Sequence, residues 1–230
     1  CLAALESGTH GHAFASGCAA TTTILLMLKS GDHVIAGDDL YGGTFRIFDK
    51  VVKQFGIETT FLDLTDPAKV RAAVRPNTKL LWMETPTNPL LKIFDIAAMA
   101  EIAQKAGAWL AVDNTFATPV LQQPLELGAS MVVHSTTKYL NGHSDVIGGA
   151  VMTRDAALSE RLTFLQKAAG AIPSPFDCYM VLRGLKTLGV RVRQHVASAR
   201  ELAQFLASHP QVERVYYPGL AAHPGHEILA

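Results

Sequence analysis

Charge of one sign is missing from this chain: 20 Lys and Arg balance 20 Asp and Glu. No bulk field draws it to a polyanion or to an anionic membrane surface, so neither nucleic acid nor membrane is an expected partner. Cysteine is scarce. Cys1, Cys18 and Cys178 are too few for a disulfide scaffold, and their separations match no CxxC or zinc pattern. A reducing, cytoplasmic setting is the simpler expectation. No apolar run is long enough to span a bilayer, and no signal-peptide pattern is present. GxGxxG and GxxxxGK are both missing, which removes the usual dinucleotide and nucleoside-triphosphate fingerprints. His134 and His143 form no HExxH or other metal-spaced set; second-line or structural roles suit them better. Internal repeats and low-complexity tracts are absent. The missing initiator methionine means little by itself; the abrupt end shortly after His226-Glu227-Ile228 is what suggests an internal piece.

What is present is a packed protein. Hydrophobic residues make up 49% and charged residues 17% of 230, which favours a core over disorder. A globular chain of this size buries roughly 70% of its unfolded surface. Apolar runs and helical patterns alternate. Strands are predicted at 33–36, 58–62, 80–83, 109–112, 131–134 and 147–152. Helices are predicted at 19–29, 44–54, 67–74, 96–105 and 119–127. This rhythm predicts an α/β fold: a mostly parallel sheet with helices on both faces. After Met152 the pattern changes. A helix is predicted at 156–167, then one long helix from 176 to about 206, with Gly184 and Gly189 as bending points. Residues 211–216 read as the first strand of a further unit, before a turn at Pro218-Gly219.

Ligands of open α/β sheets collect at the carboxyl ends of the strands. Four polar groups fall just past such ends: Asp38/Asp39/Tyr41, Glu84 to Pro89, Asp113/Asn114, and Ser135 to Tyr139. In the last, Ser135-Thr136-Thr137-Lys138-Tyr139 puts one lysine and several hydroxyls past a buried strand. A lysine there can attack a carbonyl while hydroxyls hold an anion beside it; a solvated surface lysine is the plain alternative. Asp113 ends the run Ala108 to Val112, where an unpaired charge is costly. A protonated pyridine nitrogen would partner it, as would a helix cap or local hydrogen bond. Lys138 and Asp113 together outline a pyridoxal-phosphate site. Ser16-Gly17-Cys18 either opens a helix onto a phosphate or is a simple serine N-cap. Tyr41, before Gly42-Gly43, can stack on an aromatic cofactor or pack structurally. In Glu84-Thr85-Pro86-Thr87-Asn88-Pro89 the prolines stiffen the loop, so Asn88 could donate to a phenolate oxygen, or the loop is only a rigid connection. His10/His12 and His223/His226 read as solvated turns, and Arg191, Arg193 and Arg200 as a solvated helix face.

Taken together, these segments resemble the pyridoxal-phosphate-dependent transsulfuration enzymes of cysteine and methionine metabolism. The resemblance runs through Phe14-Ala15-Ser16-Gly17, Asp39-Leu40-Tyr41-Gly42-Gly43-Thr44, Glu84 to Pro89 and Val112-Asp113-Asn114-Thr115-Phe116. It continues through Ser135 to Asp145, Ser174-Pro175-Phe176-Asp177-Cys178-Tyr179 and Arg183-Gly184-Leu185-Lys186-Thr187-Leu188. It implies the aspartate-aminotransferase-like fold (fold type I), with a coenzyme-binding large domain at 1–187 and a linking helix and the start of a smaller C-terminal domain at 188–230. It implies pyridoxal 5'-phosphate as cofactor, held covalently by Lys138. Asp113 would pair with the pyridine nitrogen and Tyr41 would stack on the ring. Gly17 and Cys18 would give backbone N–H groups to the phosphate, with Ser135 and Thr137. Asn88 would lie near the ring hydroxyl, and Glu84 would support the pocket. Cys18 departs from the family's usual Met or Leu, which a backbone contact tolerates.

The implied activity is that of a cystathionine γ-lyase, cleaving cystathionine to cysteine, 2-oxobutanoate and ammonia. Its rival is cystathionine γ-synthase, which joins an activated homoserine ester to cysteine. Methionine γ-lyase, homocysteine synthase and cystathionine β-lyase share the core, and an α/β binding or scaffold fragment is the non-enzyme alternative. The implied partners are a small sulfur-containing amino acid and further copies of the chain, as a homotetramer of catalytic dimers. The family's N-terminal arm with its Tyr-x-Arg segment and its C-terminal substrate-carboxylate arginine do not occur within these residues.

Overall fold

The computed structural model describes residues 1–229, built on one seven-stranded sheet. Its strands are β1 (His10–Phe14), β2 (His33–Gly37), β3 (Glu58–Leu62), β4 (Thr78–Glu84), β5 (Trp109–Asp113), β6 (Met131–Ser135) and β7 (Gly149–Thr153), ordered β1-β7-β6-β5-β4-β2-β3. Strands β3, β2, β4, β5 and β6 run parallel; β7 is antiparallel to both β6 and β1. The α-helices are α1 (Leu2–Leu5), α2 (Gly17–Leu25), α3 (Gly42–Arg46), α4 (Pro67–Ala73), α5 (Ile96–Ala106), α6 (Thr118–Leu121), α7 (Ala156–Ala168), α8 (Pro175–Leu185) and α9 (Leu188–Ala207).

Side chains alternate across each strand, and that alternation makes two cores. In β4, Leu80 and Trp82 enter a cluster with Phe14, Ile24 and Phe48, while Leu81 and Met83 enter another with Met99, Ile102 and Leu110. The Trp82 ring is fully buried and meets Phe48 edge-on at 5.6 Å. Each large side chain so buried contributes about 1.5–3 kcal/mol. With both faces covered, the parallel strands must be apolar nearly throughout, as β2 is. Caps set where helices begin. Ser16, Asp66, Asp95, Asp155 and Ser174 each accept an N–H from the first turn of α2, α4, α5, α7 and α8.

Six predicted strands are present, and the sheet class is as expected. Five details differ. His10 and His12, expected in a solvated turn, lie in β1, an edge strand on β7, and His12 Nε2 meets Ser159 Oγ at 3.0 Å. The helix expected at 44–54 is α3 followed by a π-helical turn (Ile47–Val51) and a 3-10 turn (Val52–Phe55), where β-branched Ile47, Val51 and Val52 crowd a regular α-helix. The helix expected at 119–127 stops at Leu121: Gln122 is extended, and Pro124 disfavours helical backbone at Gln123. The long helix is two. It breaks at Lys186-Thr187, and Gly184 serves close approach instead of bending: a Cβ there would lie 2.1 Å from the Asn141 carbonyl oxygen. Residues 211–216 form no strand. They pair with neither edge strand, β1 or β3, and without a ladder partner a β-rich segment is not a strand. No helix among the described residues is long and apolar enough to cross a membrane.

Candidate active site

The alternation that builds the cores also aims the polar residues at the strand ends. Glu84, Asp113 and Ser135 close β4, β5 and β6. Each keeps the parity of Trp82, Ala111 and Val133, so all three point to the face covered by α2. They line a cavity of about 340 Å³ with Gly17, Cys18, Tyr41, Asn88, Thr137 and Lys138. All nine residues singled out in the sequence therefore share one cavity. Tyr41, Asn88, Thr137 and Lys138 also line an open depression of about 880 Å³, so the lysine stands where the two spaces meet.

The floor of the cavity holds two acids side by side. Glu84 is aligned with Asp113 across the β4–β5 ladder. Burial, with Asp113 as the next cause, pushes the Glu84 carboxyl up to about 8, against the pull of the Tyr41 N–H on its Oε2 at 3.0 Å. Burial likewise raises Asp113 above the usual carboxylate range, opposed by its bonds to Thr115 and by the nearby His134. The Thr115 N–H and hydroxyl both donate to Asp113 Oδ1, at 3.0 and 2.5 Å, which leaves Oδ2 for a donor in the cavity. A positive charge between these carboxyls would relieve both.

The opposite wall suits an anion. α2 opens on Gly17 and Cys18, whose N–H groups have no intrahelical acceptor, while Ser16 Oγ takes the Ala19 N–H at 3.0 Å. A Cβ on Gly17 would lie 3.0 Å from Ser135 Cβ, so any side chain there would press the helix start away from β6. The Tyr41 ring lies over Gly43, where a Cβ would be 2.3 Å from Cε1. The Thr137 hydroxyl is shared with Gly148, accepting its N–H at 3.1 Å.

Other expectations are corrected. Asp38 and Asp39 brace a loop and do not line the cavity: Asp38 pairs with Lys92 at 2.9 Å, and Asp39 accepts the Thr87 hydroxyl and, at 3.0 Å, the Leu90 N–H. Arg191 is not a solvated helix side chain. It donates to the carbonyls of Tyr139 (2.8 Å) and Gly184 (3.0 Å) and to Thr187 Oγ1 (3.0 Å), tying α9 to the lysine segment. His223 is buried and meets the Leu91 carbonyl at 2.8 Å. Sequence reasoning missed Thr115, whose hydroxyl joins the Ser135 N–H to Asp113, and Glu6, buried under the sheet. An acid directly after the apolar run Leu2 to Leu5 was the available signal for Glu6.

A family model described as Cys/Met metabolism PLP-dependent enzyme matches residues 1–230. The chain belongs to this family. A probable cystathionine gamma-synthase from Herpetosiphon aurantiacus is 58% identical over 228 residues, 99% of this chain and 72% of that protein. A cystathionine beta-lyase from Coxiella burnetii is 57% identical over 230 residues, 99% of this chain and 59% of that protein. The crystal structure of cystathionine gamma-lyase from Lactobacillus plantarum complexed with L-serine matches with a TM-score of 0.97 at 48% identity, over 99% of this chain and 60% of that one. The chain thus spans between 59% and 72% of the length of these relatives. Within the family, the cavity fits the coenzyme on its own terms: a cradle that a Cβ would fill, paired acids short of a cation, and a lysine at the rim.

Proposed function

We propose that this chain is the coenzyme-binding portion of a transsulfuration enzyme acting on a sulfur-containing amino acid, with γ-elimination of cystathionine to cysteine, 2-oxobutanoate and ammonia as its reaction. One observation carries the reading: Lys138 and Asp113 line the same cavity, with an anion cradle on its wall. Bound there, the coenzyme supplies an electron sink for charge developing on the substrate. Lys138 would be the residue that holds it, and its Nζ, at the rim of the cavity, would take and return protons at the substrate carbons. Asp113 Oδ2 keeps the ring nitrogen protonated. The N–H groups of Gly17 and Cys18, with Ser135 and Thr137, bind the phosphate. Asn88 donates to the ring hydroxyl oxygen. Tyr41 covers the ring and moves a proton to the leaving sulfur, and Glu84 fixes Tyr41 through its backbone N–H.

Residues 1–187 are read as the large domain and 188–230 as the link into a smaller one. Self-association into a homotetramer of catalytic dimers is read with it; Phe176 and Tyr179 in α8, each more than 60% exposed, are large apolar side chains that such contacts could cover. The setting is read as cytoplasmic. A second reaction has its own support: the Herpetosiphon relative is named a gamma-synthase, so replacement of an activated homoserine ester by cysteine is the alternative.

The full-length protein should show the absorbance of a lysine–pyridoxal imine, and Lys138→Ala should abolish it. An unchanged covalent adduct in the variant would remove Lys138 from its role. Product assays with cystathionine, and with an activated homoserine ester plus cysteine, decide the reaction. Faster ester condensation would favour the synthase.

A further inference from the structure

Behind the cavity, on the other face of the sheet, lies a polar cluster that the proposed reaction does not use. His134 has the parity of Val132 and so points away from the coenzyme side. It is fully buried, and Glu6, which caps α1, is 1% exposed. His134 Nε2 meets Glu6 Oε1 at 2.5 Å, and the same oxygen accepts the Asn114 amide at 2.8 Å. Asn114 is also bonded to Gln122, both to its carbonyl and from its amide, at 2.9 Å each, and Gln122 reaches the Thr85 carbonyl at 3.1 Å. One cluster thus ties α1 to the residues that follow β4 and β5 and to the end of β6.

Stability alone does not account for it. Glu6 Oε2 and His134 Nδ1 are buried with no partner. Each such atom has lost its solvation without a protein hydrogen bond in return, and apolar side chains of similar volume often hold a fold as well. What the cluster does fix is register. Asn114 follows Asp113, and its N–H bonds the Val133 carbonyl at 2.9 Å; His134 precedes Ser135. On the front face the Thr115 hydroxyl joins Asp113 to the Ser135 N–H. The ends of β5 and β6 are therefore clamped from both sides.

We propose that Glu6 and His134 are positioning residues that hold Asp113 and Ser135 at the separation set by the two ends of one ligand, the ring nitrogen and the phosphate. This rests on the coenzyme reading above. A two-ended ligand gains from anchors held in register, whereas a ligand that uses one anchor does not.

The test uses the full-length protein, freed of coenzyme and titrated separately with pyridoxal phosphate, pyridoxal and inorganic phosphate. Glu6→Ala should weaken pyridoxal phosphate roughly tenfold, the worth of a hydrogen bond to a charged group, and change the two fragments less than about threefold. Glu6→Gln, whose carbonyl can accept both donors, should restore binding. If Glu6→Ala does not fold, Gln122→Ala removes the rim of the same cluster and should give the same pattern at smaller amplitude. Equal losses for all three ligands, or an unchanged affinity for pyridoxal phosphate, would overturn the proposal while leaving the coenzyme reading intact. Failure of the wild type to bind pyridoxal phosphate would overturn both.

Discussion

The two ends of the sheet bury similar polar groups to opposite effect. At the amino end, His33 is fully buried at the start of β2, with Nδ1 2.8 Å from Thr78 Oγ1 and Nε2 2.9 Å from Thr60 Oγ1. Both ring nitrogens are satisfied by hydroxyls, which donate or accept as the tautomer requires. Burial, aided by Arg75, lowers its pKa. At the carboxyl end, Glu84 and Asp113 are both held above the ordinary carboxylate range, and Glu6 and His134 leave atoms unpaired. One end closes the hydrogen bonds of its buried histidine, although the neutral Thr59 hydroxyl beside it is buried with no partner. The other is left electrostatically incomplete, which a domain tolerates where a ligand completes it.

The sharpest way to break this contrast is Asp113→Asn. The amide keeps the side chain's shape and its acceptor for Thr115 but cannot pair with a cation. Affinity of the full-length protein for pyridoxal phosphate should fall about a hundredfold or more, the loss expected when one partner of a buried charged pair is neutralised. The coenzyme-free protein should meanwhile be no less stable, because a buried acid has been removed. Coenzyme titration and urea midpoints measure the two effects. A variant that binds normally, or one that loses stability and affinity together, would mean that the carboxyl end is as self-sufficient as the amino end.

Glu84→Gln tests the same idea through pH. An unfolded glutamate titrates near 4.5, whereas the folded carboxyl holds its proton to about 8. Between these values the native state binds more protons than the unfolded state, so stability should fall as pH rises from 4.5 to 8 and level off above. Asp113 is raised and acts in the same direction, so the glutamine should reduce the decline and not abolish it. Urea midpoints of the coenzyme-free protein at several pH values would show this. A wild type whose stability climbs across that window would contradict it.

The difference between the ends also explains what could be read from sequence. Continuous apolar runs such as Leu80 to Met83 and Met131 to Val133 mark strands buried on both faces, and residues placed just past them had to reach the sheet's carboxyl edge. Tyr41, Glu84, Asn88, Asp113 and Lys138 were accessible by that logic and by their order as motifs. Glu6 was not, since its partners His134 and Asn114 lie 128 and 108 residues away and only the folded sheet brings them together. The same holds for Arg191, whose bond to the Tyr139 carbonyl spans 52 residues. Residues 211–216 show the converse failure. A β-rich sequence predicts a strand but cannot say that the chain will bring it alongside an edge.

The smallest effect belongs at the amino end. Thr60→Val keeps the shape of the side chain and removes the hydroxyl that satisfies His33 Nε2. Arg75 also loses a contact there, at 3.3 Å and largely exposed, which adds little. The cost should be about 1 kcal/mol, because the ring keeps Thr78 and the Thr60 site is only part-buried. Affinity for pyridoxal phosphate should not move, since β2 and β3 present this cluster at the edge of the sheet opposite the cavity. A loss of coenzyme affinity comparable to that of Glu6→Ala would show that any buried hydrogen bond in the sheet supports the site. The special standing of the carboxyl end would then dissolve into ordinary stability.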